Sequence, residues 1–135
     1  MESQSHVQLV NIAIEYIKNI LPEEYYIFIC TDTMGHNDRV KVIGNYIPDV
    51  YYCYNNQLII GEAKTINDFD RKHSKKQFIA YMNEFLTFQG ETTLVVSVPW
   101  QLVLTAKNYF LRLRREMQVD VNVVILNEIG RCFLI

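Results

Sequence analysis

The chain between residues 47 and 64 reads IPDVYYCYNNQLIIGEAK, and this stretch predicts a β-hairpin that ends in charged side chains. Residues 51–54 and 58–60 are aromatic or β-branched runs of the kind that favours strands. Asn55 and Asn56 between the two runs are typical of tight turns. Pairing of the two strands would bring Asp49, which precedes the first, close to Glu62, which follows the second.

The charged residues at the end of this hairpin are expected to share one location. Because strand side chains alternate between the two faces of a sheet, Glu62 and Lys64 should lie on one face and Ala63 on the other. A buried charge costs several kcal/mol unless a partner or a metal compensates it. Asp49, Glu62 and Lys64 together are a set of groups suited to binding a divalent cation and cleaving a phosphodiester. The competing interpretation is a solvated hairpin end with a Glu–Lys pair.

Length and composition predict a single domain over residues 1–135, because half of the 135 residues are apolar and can form a hydrophobic core. The formal net charge of −2 excludes a protein that coats nucleic acid through its overall charge. The opening residues are polar, and no apolar run approaches the roughly 18 residues of a membrane span. We therefore expect a cytoplasmic protein with no membrane partner. Cys30, Cys53 and Cys132 form no CxxC pair and are expected to be reduced, buried thiols.

Hydrophobic periodicity along the rest of the chain predicts a first helix from Ser3 or Ser5 to about Ile20. A strand at 25–30 follows, and a further strand may begin at 40–43, before the hairpin. Further elements are a helix at about 72–88, a strand at 92–98, a helix from Pro99 to about Glu116, and strands at 119–126 and 131–135. The order α-β-β-β-α-β-α-β-β predicts an α/β fold, with a mixed central sheet flanked by helices.

The charged hairpin carries a pattern that is known from a family of nucleases. Pro48-Asp49, followed after twelve residues by Glu62-Ala63-Lys64, resembles the active-site signature of the PD-(D/E)XK nuclease superfamily. The resemblance covers about residues 3–98 and implies a restriction-endonuclease-like αβββαβ core. The minimal size is similar to that of the junction resolvases in this superfamily.

A second element of the resemblance lies on the helix that follows the hairpin. Gln77 and Tyr81, four residues apart, resemble the QxxxY element of the exonuclease and RecB-like branch. Both residues are then expected to be catalytic. Gln77 would hydrogen-bond the substrate phosphate or orient Lys64 or the attacking water, and Tyr81 would support it from the next turn. The competing interpretations are an exposed helix position for Gln77 and a core aromatic residue for Tyr81.

The resemblance implies a metal-dependent nuclease that hydrolyses the phosphodiester bonds of DNA, with RNA as a further candidate substrate. Asp49, Glu62 and the backbone carbonyl of Ala63 would bind Mg²⁺ or Mn²⁺, because hard divalent cations prefer oxygen ligands. Lys64 would be catalytic, either by positioning the attacking water or by stabilising the transition state. Substrate form and endo- or exonuclease action stay open.

Basic residues form two clusters outside the motif. The first precedes Gln77 on the second helix, where a nucleic-acid backbone would pass, and its expected nucleic-acid contacts are Lys72, Lys75 and Lys76. The second lies on the third helix and reads as a solvated helix face rather than a contact surface. Its members are Arg112, Arg114 and Arg115.

Two residues of the first helix are candidate additions to the site. Glu15 lies off the apolar face and is expected to be solvated. His6 falls on the face of Val10, Ala13 and Ile17, so it can approach the site, although a packed or capping role is the preferred interpretation.

The alternative function is a non-catalytic nucleic-acid-binding or scaffold subunit of a larger repair or defence complex. The chain offers no separate DNA-reading domain, so a homodimer or a partner subunit is expected to supply part of the nucleic-acid binding.

Overall fold

The computed structural model describes residues 4–32, 41–66, 69 and 72–135, and for Lys72 only the backbone. The described chain contains three α-helices and six strands. In order, they are α1 (Gln4–Ile20), β1 (Ile29–Thr31), β2 (Val50–Tyr54), β3 (Gln57–Ala63), α2 (Lys72–Thr87), β4 (Glu91–Ser97), α3 (Val103–Met117), β5 (Asn122–Leu126) and β6 (Cys132–Leu134). Short 3-10 turns at Glu23–Phe28 and Trp100–Leu102 precede β1 and α3.

The six strands form one sheet in the order β1-β2-β3-β4-β5-β6. Strands β3, β4 and β5 are parallel neighbours, and α2 and α3 make the helical crossovers that parallel pairing requires. Strands β1, β2 and β3 pair antiparallel, as do β5 and β6. The prediction of an α/β fold with a mixed sheet flanked by helices is therefore confirmed.

Each face of the sheet carries its own hydrophobic core. On one face, the apolar stripe of α1 packs against alternate residues of β2, β3 and β4. The members of this cluster include Leu9, Val10, Ala13, Ile17, Val50, Ile59 and Val95. On the other face, α2 and α3 pack against the intervening positions. The members of this second cluster include Leu58, Ile60, Phe78, Tyr81, Leu94, Val96 and Phe110. Alternation along β3 thus places Glu62 on the α2 face, and Ala63 packs on the α1 face.

The β2–β3 hairpin forms where it was predicted, although both strands extend beyond the predicted runs 51–54 and 58–60, and its register is fixed. Val50 pairs with Gly61 and Tyr54 with Gln57, with a two-residue turn between the strands. Asn55 and Asn56 have φ values of 54° and 62°, both in the left-handed region that a type I′ hairpin turn requires. This register places residue 49 directly beside residue 62.

The strand predicted at residues 25–30 is wrong over most of its length. A 3-10 turn occupies Glu23–Phe28, and only Ile29 and Cys30 of the predicted run belong to β1. The aromatic side chains of the turn are used for packing rather than for strand pairing. The Tyr26 hydroxyl donates a hydrogen bond to the Lys18 carbonyl oxygen at 2.8 Å, and the Phe28 ring stacks on Tyr54 with centroids 3.8 Å apart.

Two further expectations are corrected. Of the strand start considered at residues 40–43, Val40 lies outside the described residues, and Ile43 forms only an isolated bridge with Tyr46, because Gly44 turns the chain at a φ of 63°. The cysteines are not buried: Cys30 is half-buried, and Cys53 and Cys132 are exposed. Cys30 and Cys132 lie on the two edge strands, where a sheet is least covered.

None of the described helices is long and apolar enough to cross a lipid bilayer.

We expect the hairpin turn to be less stable with alanine than with glycine at position 56. A residue with a Cβ atom in the left-handed region costs about 1–2 kcal/mol, and glycine avoids this cost. Asn56→Ala should therefore lower the free energy of unfolding by about 1 kcal/mol more than Asn56→Gly, as measured by urea denaturation. Asn83→Ala, an exposed substitution within α2, is the control. Equal effects of alanine and glycine at position 56 would contradict this account of the turn.

Candidate active site

The end of the hairpin is closed by two carboxylates, each of which contacts the backbone of the opposite strand. The Ala63 N–H donates a hydrogen bond to Asp49 Oδ2 at 2.9 Å, and the Asp49 N–H approaches Glu62 Oε1 at 3.4 Å. These contacts continue the β2–β3 ladder beyond its last backbone pair. The predicted proximity of Asp49 and Glu62 is thus present, and it follows directly from the register of the hairpin.

A chain of side-chain hydrogen bonds connects this carboxylate pair to α2. Lys64 Nζ donates to Gln77 Oε1 at 2.6 Å, Gln77 Nε2 donates to the Tyr81 hydroxyl oxygen at 3.0 Å, and that hydroxyl donates to Glu62 Oε1 at 2.9 Å. Glu62 and Lys64 are two apart on one strand, whereas Gln77 and Tyr81 are four apart on one helix. Side chains two apart on a strand share a face, and side chains four apart on a helix share a side. Each pair therefore points into the same space between β3 and α2.

All five residues are withdrawn from solvent. Asp49, Glu62, Lys64 and Gln77 are 4–7% exposed, and Tyr81 is fully buried. Neither a solvated hairpin end nor an exposed position for Gln77 describes this arrangement. Tyr81 is both a core aromatic residue and a member of the site. Its ring packs in the core, and its hydroxyl joins the hydrogen-bond chain. The Lys64 ammonium also lies 5.7 Å from the centroid of the Phe78 ring, within the range of a cation–π interaction.

The two carboxyl groups differ in their affinity for protons. Burial raises the pKa of Glu62 well above its usual value, and the negative charge of Asp49 raises it further; Lys64 and the Tyr81 hydroxyl act in the opposite direction. Burial also acts to raise the pKa of Asp49, but hydrogen bonds to its carboxylate from His6, Glu62 and the Ala63 N–H outweigh it and lower that pKa. A proton on the pair is therefore held more tightly by Glu62 than by Asp49.

Tyr81 is kept protonated by the same surroundings. Burial raises the pKa of its hydroxyl, and the neighbouring Glu62 charge raises it further, although the hydrogen bond with Gln77 acts the other way. The hydroxyl is therefore a stable donor to Glu62 at neutral pH. It leaves its oxygen as the acceptor for Gln77.

His6 contacts the site from the start of α1, contrary to the packed or capping role preferred from the sequence. Its Nε2 atom lies 3.3 Å from Asp49 Oδ2, with 16% of the side chain exposed. The available signal was its position on the apolar face of α1, which points at the sheet. Glu15, by contrast, is exposed on α1, as expected.

Asp32 is a further acidic residue near the site that the sequence analysis missed. Its N–H donates a hydrogen bond to the Asp49 carbonyl oxygen at 3.1 Å, directly after the end of β1. Burial raises the pKa of its carboxyl, and the Asp49 charge contributes to the same direction. No local pattern marks this residue, because its proximity to Asp49 depends on the pairing of β1 with β2.

The basic residues divide into exposed and structural ones. Lys75 and Lys76 are exposed on α2 next to Gln77, and the side chain of Lys72 lies outside the described residues. Arg112 and Arg115 are exposed on α3. Arg114 does not belong to a solvated face, because its guanidinium donates hydrogen bonds to the carbonyl oxygens of Val121 and Ile135 at 3.0 Å each.

The carboxylate pair has the donor chemistry for a hard divalent cation. The N–H and C=O groups of one strand residue point to the same edge of the strand, so the Ala63 carbonyl is directed toward the side on which its N–H meets Asp49. Two carboxylates and a carbonyl are oxygen ligands suited to Mg²⁺ or Mn²⁺. Burial and the Asp49 charge both oppose the ionisation of Glu62, and a bound cation would offset both effects. Within the described residues, no three histidine, cysteine or acidic side chains are grouped to hold a metal, so waters would complete such a site.

No protein-family model, curated protein or solved structure matches this chain. The likeness to PD-(D/E)XK nucleases therefore rests on the motif residues themselves.

Glu62→Gln should change how stability depends on pH in the absence of metal. Above pH 4.5, the usual pKa of the group, unfolded Glu62 has lost its proton while folded Glu62 retains it, so wild-type stability falls as the pH rises toward the folded pKa. Glutamine does not titrate. The melting temperature of Glu62→Gln, relative to wild type in EDTA, should thus increase as the pH rises above about 5.

Glu116→Gln, an exposed substitution on α3, is the control for this experiment and should show no such trend. The lowered pKa of Asp49 does not affect the comparison, because its contribution to stability is lost only when the pH falls below its usual value of 3.8. A difference between Glu62→Gln and wild type that is constant with pH would contradict the protonated state of Glu62.

The hydrogen-bond chain should be visible as coupling between Gln77 and Tyr81. Tyr81→Phe leaves Glu62 and Gln77 each short of a partner, and should lower the free energy of unfolding by about 1–3 kcal/mol. With Gln77→Ala, a double-mutant cycle should give a coupling of about 0.5–3 kcal/mol, as measured by urea denaturation. Tyr54→Phe, which alters an exposed tyrosine, should change stability by less than about 0.5 kcal/mol. Additive effects at positions 77 and 81 would contradict a connected chain.

Proposed function

We propose that this protein is a metal-dependent nuclease that hydrolyses the phosphodiester bonds of DNA. The observation that carries the proposal is the buried hydrogen-bond chain from Lys64 through Gln77 and Tyr81 to Glu62, next to Asp49. It unites in one place the residues of both motif elements. We also propose that the fold is a restriction-endonuclease-like core of the PD-(D/E)XK superfamily. The order α1-β1-β2-β3-α2-β4 supports this, because it has the αβββαβ sequence of that core.

The carboxylate pair supplies the metal site of the proposed enzyme. Asp49, Glu62 and the Ala63 carbonyl would hold Mg²⁺ or Mn²⁺, which when bound neutralises phosphate charge and lowers the pKa of a coordinated water. Glu62 must give up its proton for this role, so binding of the cation and ionisation of Glu62 favour each other. The hydrogen bond from Tyr81 fixes one Glu62 oxygen and thereby the orientation of its carboxylate.

Lys64 is the cationic group of the proposed mechanism. Its ammonium carries three N–H donors, and Gln77 Oε1 accepts a hydrogen bond from it at 2.6 Å. This bond fixes the direction of a side chain that is otherwise flexible, so Lys64 is positioned in advance for a phosphate oxygen or for the attacking water. Stabilisation of developing negative charge by such a preorganised donor is worth about 10²–10³ in rate.

A cleavage assay tests the proposal directly. Wild type should cleave linear duplex, circular single-stranded or branched DNA in Mg²⁺ or Mn²⁺ and not in EDTA. Asp49→Asn, Glu62→Gln and Lys64→Ala should each lower the rate by about 10²-fold or more, because each removes a group that acts on the scissile phosphate. Lys107→Ala, an exposed substitution on α3, is the control that should leave the rate unchanged.

Circular dichroism of each variant must show that it is folded. Cleavage that survives all three site substitutions would place the active site elsewhere. Binding of DNA without turnover in either metal would favour the alternative function, a non-catalytic nucleic-acid-binding or scaffold subunit.

A further inference from the structure

A polar groove of about 250 Å³ lies between α2 and α3, the two helices on the face of the sheet opposite α1. One lysine from α2 and five residues from α3 line it. They are Lys75, Thr105, Tyr109, Arg112, Leu113 and Glu116. The groove brings together one residue of each basic cluster, although β4 separates the two clusters in the sequence. Glu116 is the single carboxylate among the six lining residues, so their net charge is positive.

Tyr109 gives the groove a rigid base. Its ring packs edge-to-face against Phe110 and Phe78, with centroids 5.0 and 6.2 Å apart, and against Phe69 at 5.5 Å. Lys75 and Arg112 therefore flank a fixed aromatic surface, with the Thr105 hydroxyl at the same cavity. Two cations and the Thr105 hydroxyl around a concave, rigid surface are a set of donors that matches a phosphate group.

The groove lies close to the candidate active site, and Phe78 forms the connection. The Lys64 ammonium is 5.7 Å from the Phe78 ring centroid, and the Tyr109 ring centroid is 6.2 Å from it, so Lys64 Nζ and the Tyr109 ring are at most about 12 Å apart. A nucleic-acid strand carries one phosphate per nucleotide. A strand held at Lys64 can therefore place a phosphate a few nucleotides away in the groove.

We propose that the α2–α3 groove binds a backbone phosphate of the nucleic-acid strand whose scissile phosphate lies at Lys64. This inference rests on the proposed nuclease function, and it names the path that the substrate takes away from the active site. Lys75 and Arg112 bind the phosphate charge, whereas Thr105 and Tyr109 shape the seat. Because the contacts are to the backbone, binding through the groove is independent of base sequence.

The test measures nucleic-acid binding in EDTA, so that cleavage is not required. Fluorescence anisotropy of a short labelled oligonucleotide, single-stranded and duplex, is recorded over a range of KCl concentrations. Lys75→Ala and Arg112→Ala should each lower the affinity about five-fold at 0.15 M salt, and should reduce the slope of log affinity against log salt by about 0.7–0.9. Arg112→Lys should retain most of the affinity, because it keeps the charge.

Lys107→Ala and Arg115→Ala are the matched controls, because they remove the same charge from exposed positions of α3 that do not line the groove. They should change the affinity less than about two-fold. Equal losses in groove and control variants would overturn the proposal, because binding would then follow overall charge. The absence of oligonucleotide binding by wild type would overturn it as well.

The two proposals fail separately. Groove-specific binding by a protein that cleaves none of the DNA substrates would remove the nuclease function and leave the groove as a nucleic-acid site. Metal-dependent cleavage that requires Lys64, together with unchanged binding in Lys75→Ala and Arg112→Ala, would support the nuclease function and remove the groove as a nucleic-acid site.

Discussion

The hydrogen-bond chain from Lys64 to Glu62 is the interaction on which the arrangement of this protein depends. It places a cation and a carboxyl group at the end of a buried strand, where an unpartnered charge costs several kcal/mol. Gln77 and Tyr81 satisfy both groups from α2. The chain thereby fixes the rotation and the axial position of α2 against β3, because a shift of β3 by one residue would move its polar groups to the α1 face, away from their partners on α2.

Stability alone does not account for such a buried polar set. Replacing buried ion pairs by apolar side chains of similar volume is often neutral or stabilising, so hydrogen-bonded charges at this place are poor contributors to folding. The pair of carboxyl groups adds to the cost, because Asp49 opposes the ionisation of Glu62. A bound divalent cation would turn this repulsion into attraction. The proposed function therefore explains a feature that the folding energy leaves unexplained.

Local patterns in the sequence predicted those parts of the molecule that local forces determine. The Asn55-Asn56 turn and the alternation of β3 were enough to place Asp49 beside Glu62, and helical spacing was enough to align Gln77 with Tyr81. The predictions that were wrong, and the residues that were missed, depend on tertiary contacts. The aromatic run at 25–30 has strand composition, yet its side chains pack and bond to α1 and β2 as a 3-10 turn. His6, Asp32 and Arg114 owe their roles to neighbours far away in sequence, which no short window contains.

Helix α2 contributes residues to both the candidate active site and the groove. Successive residues of a helix are about 100° apart, so Lys75 and Gln77, two positions apart, project to nearly opposite sides of α2. Gln77 faces β3 and Lys64, whereas Lys75 faces α3 and the groove. Phe78 lies between them and contacts both the Lys64 ammonium and the Tyr109 ring. A rigid aromatic spacer of this kind would keep the separation of the two proposed phosphate sites constant, so that one nucleic-acid strand could occupy both without a change in the protein.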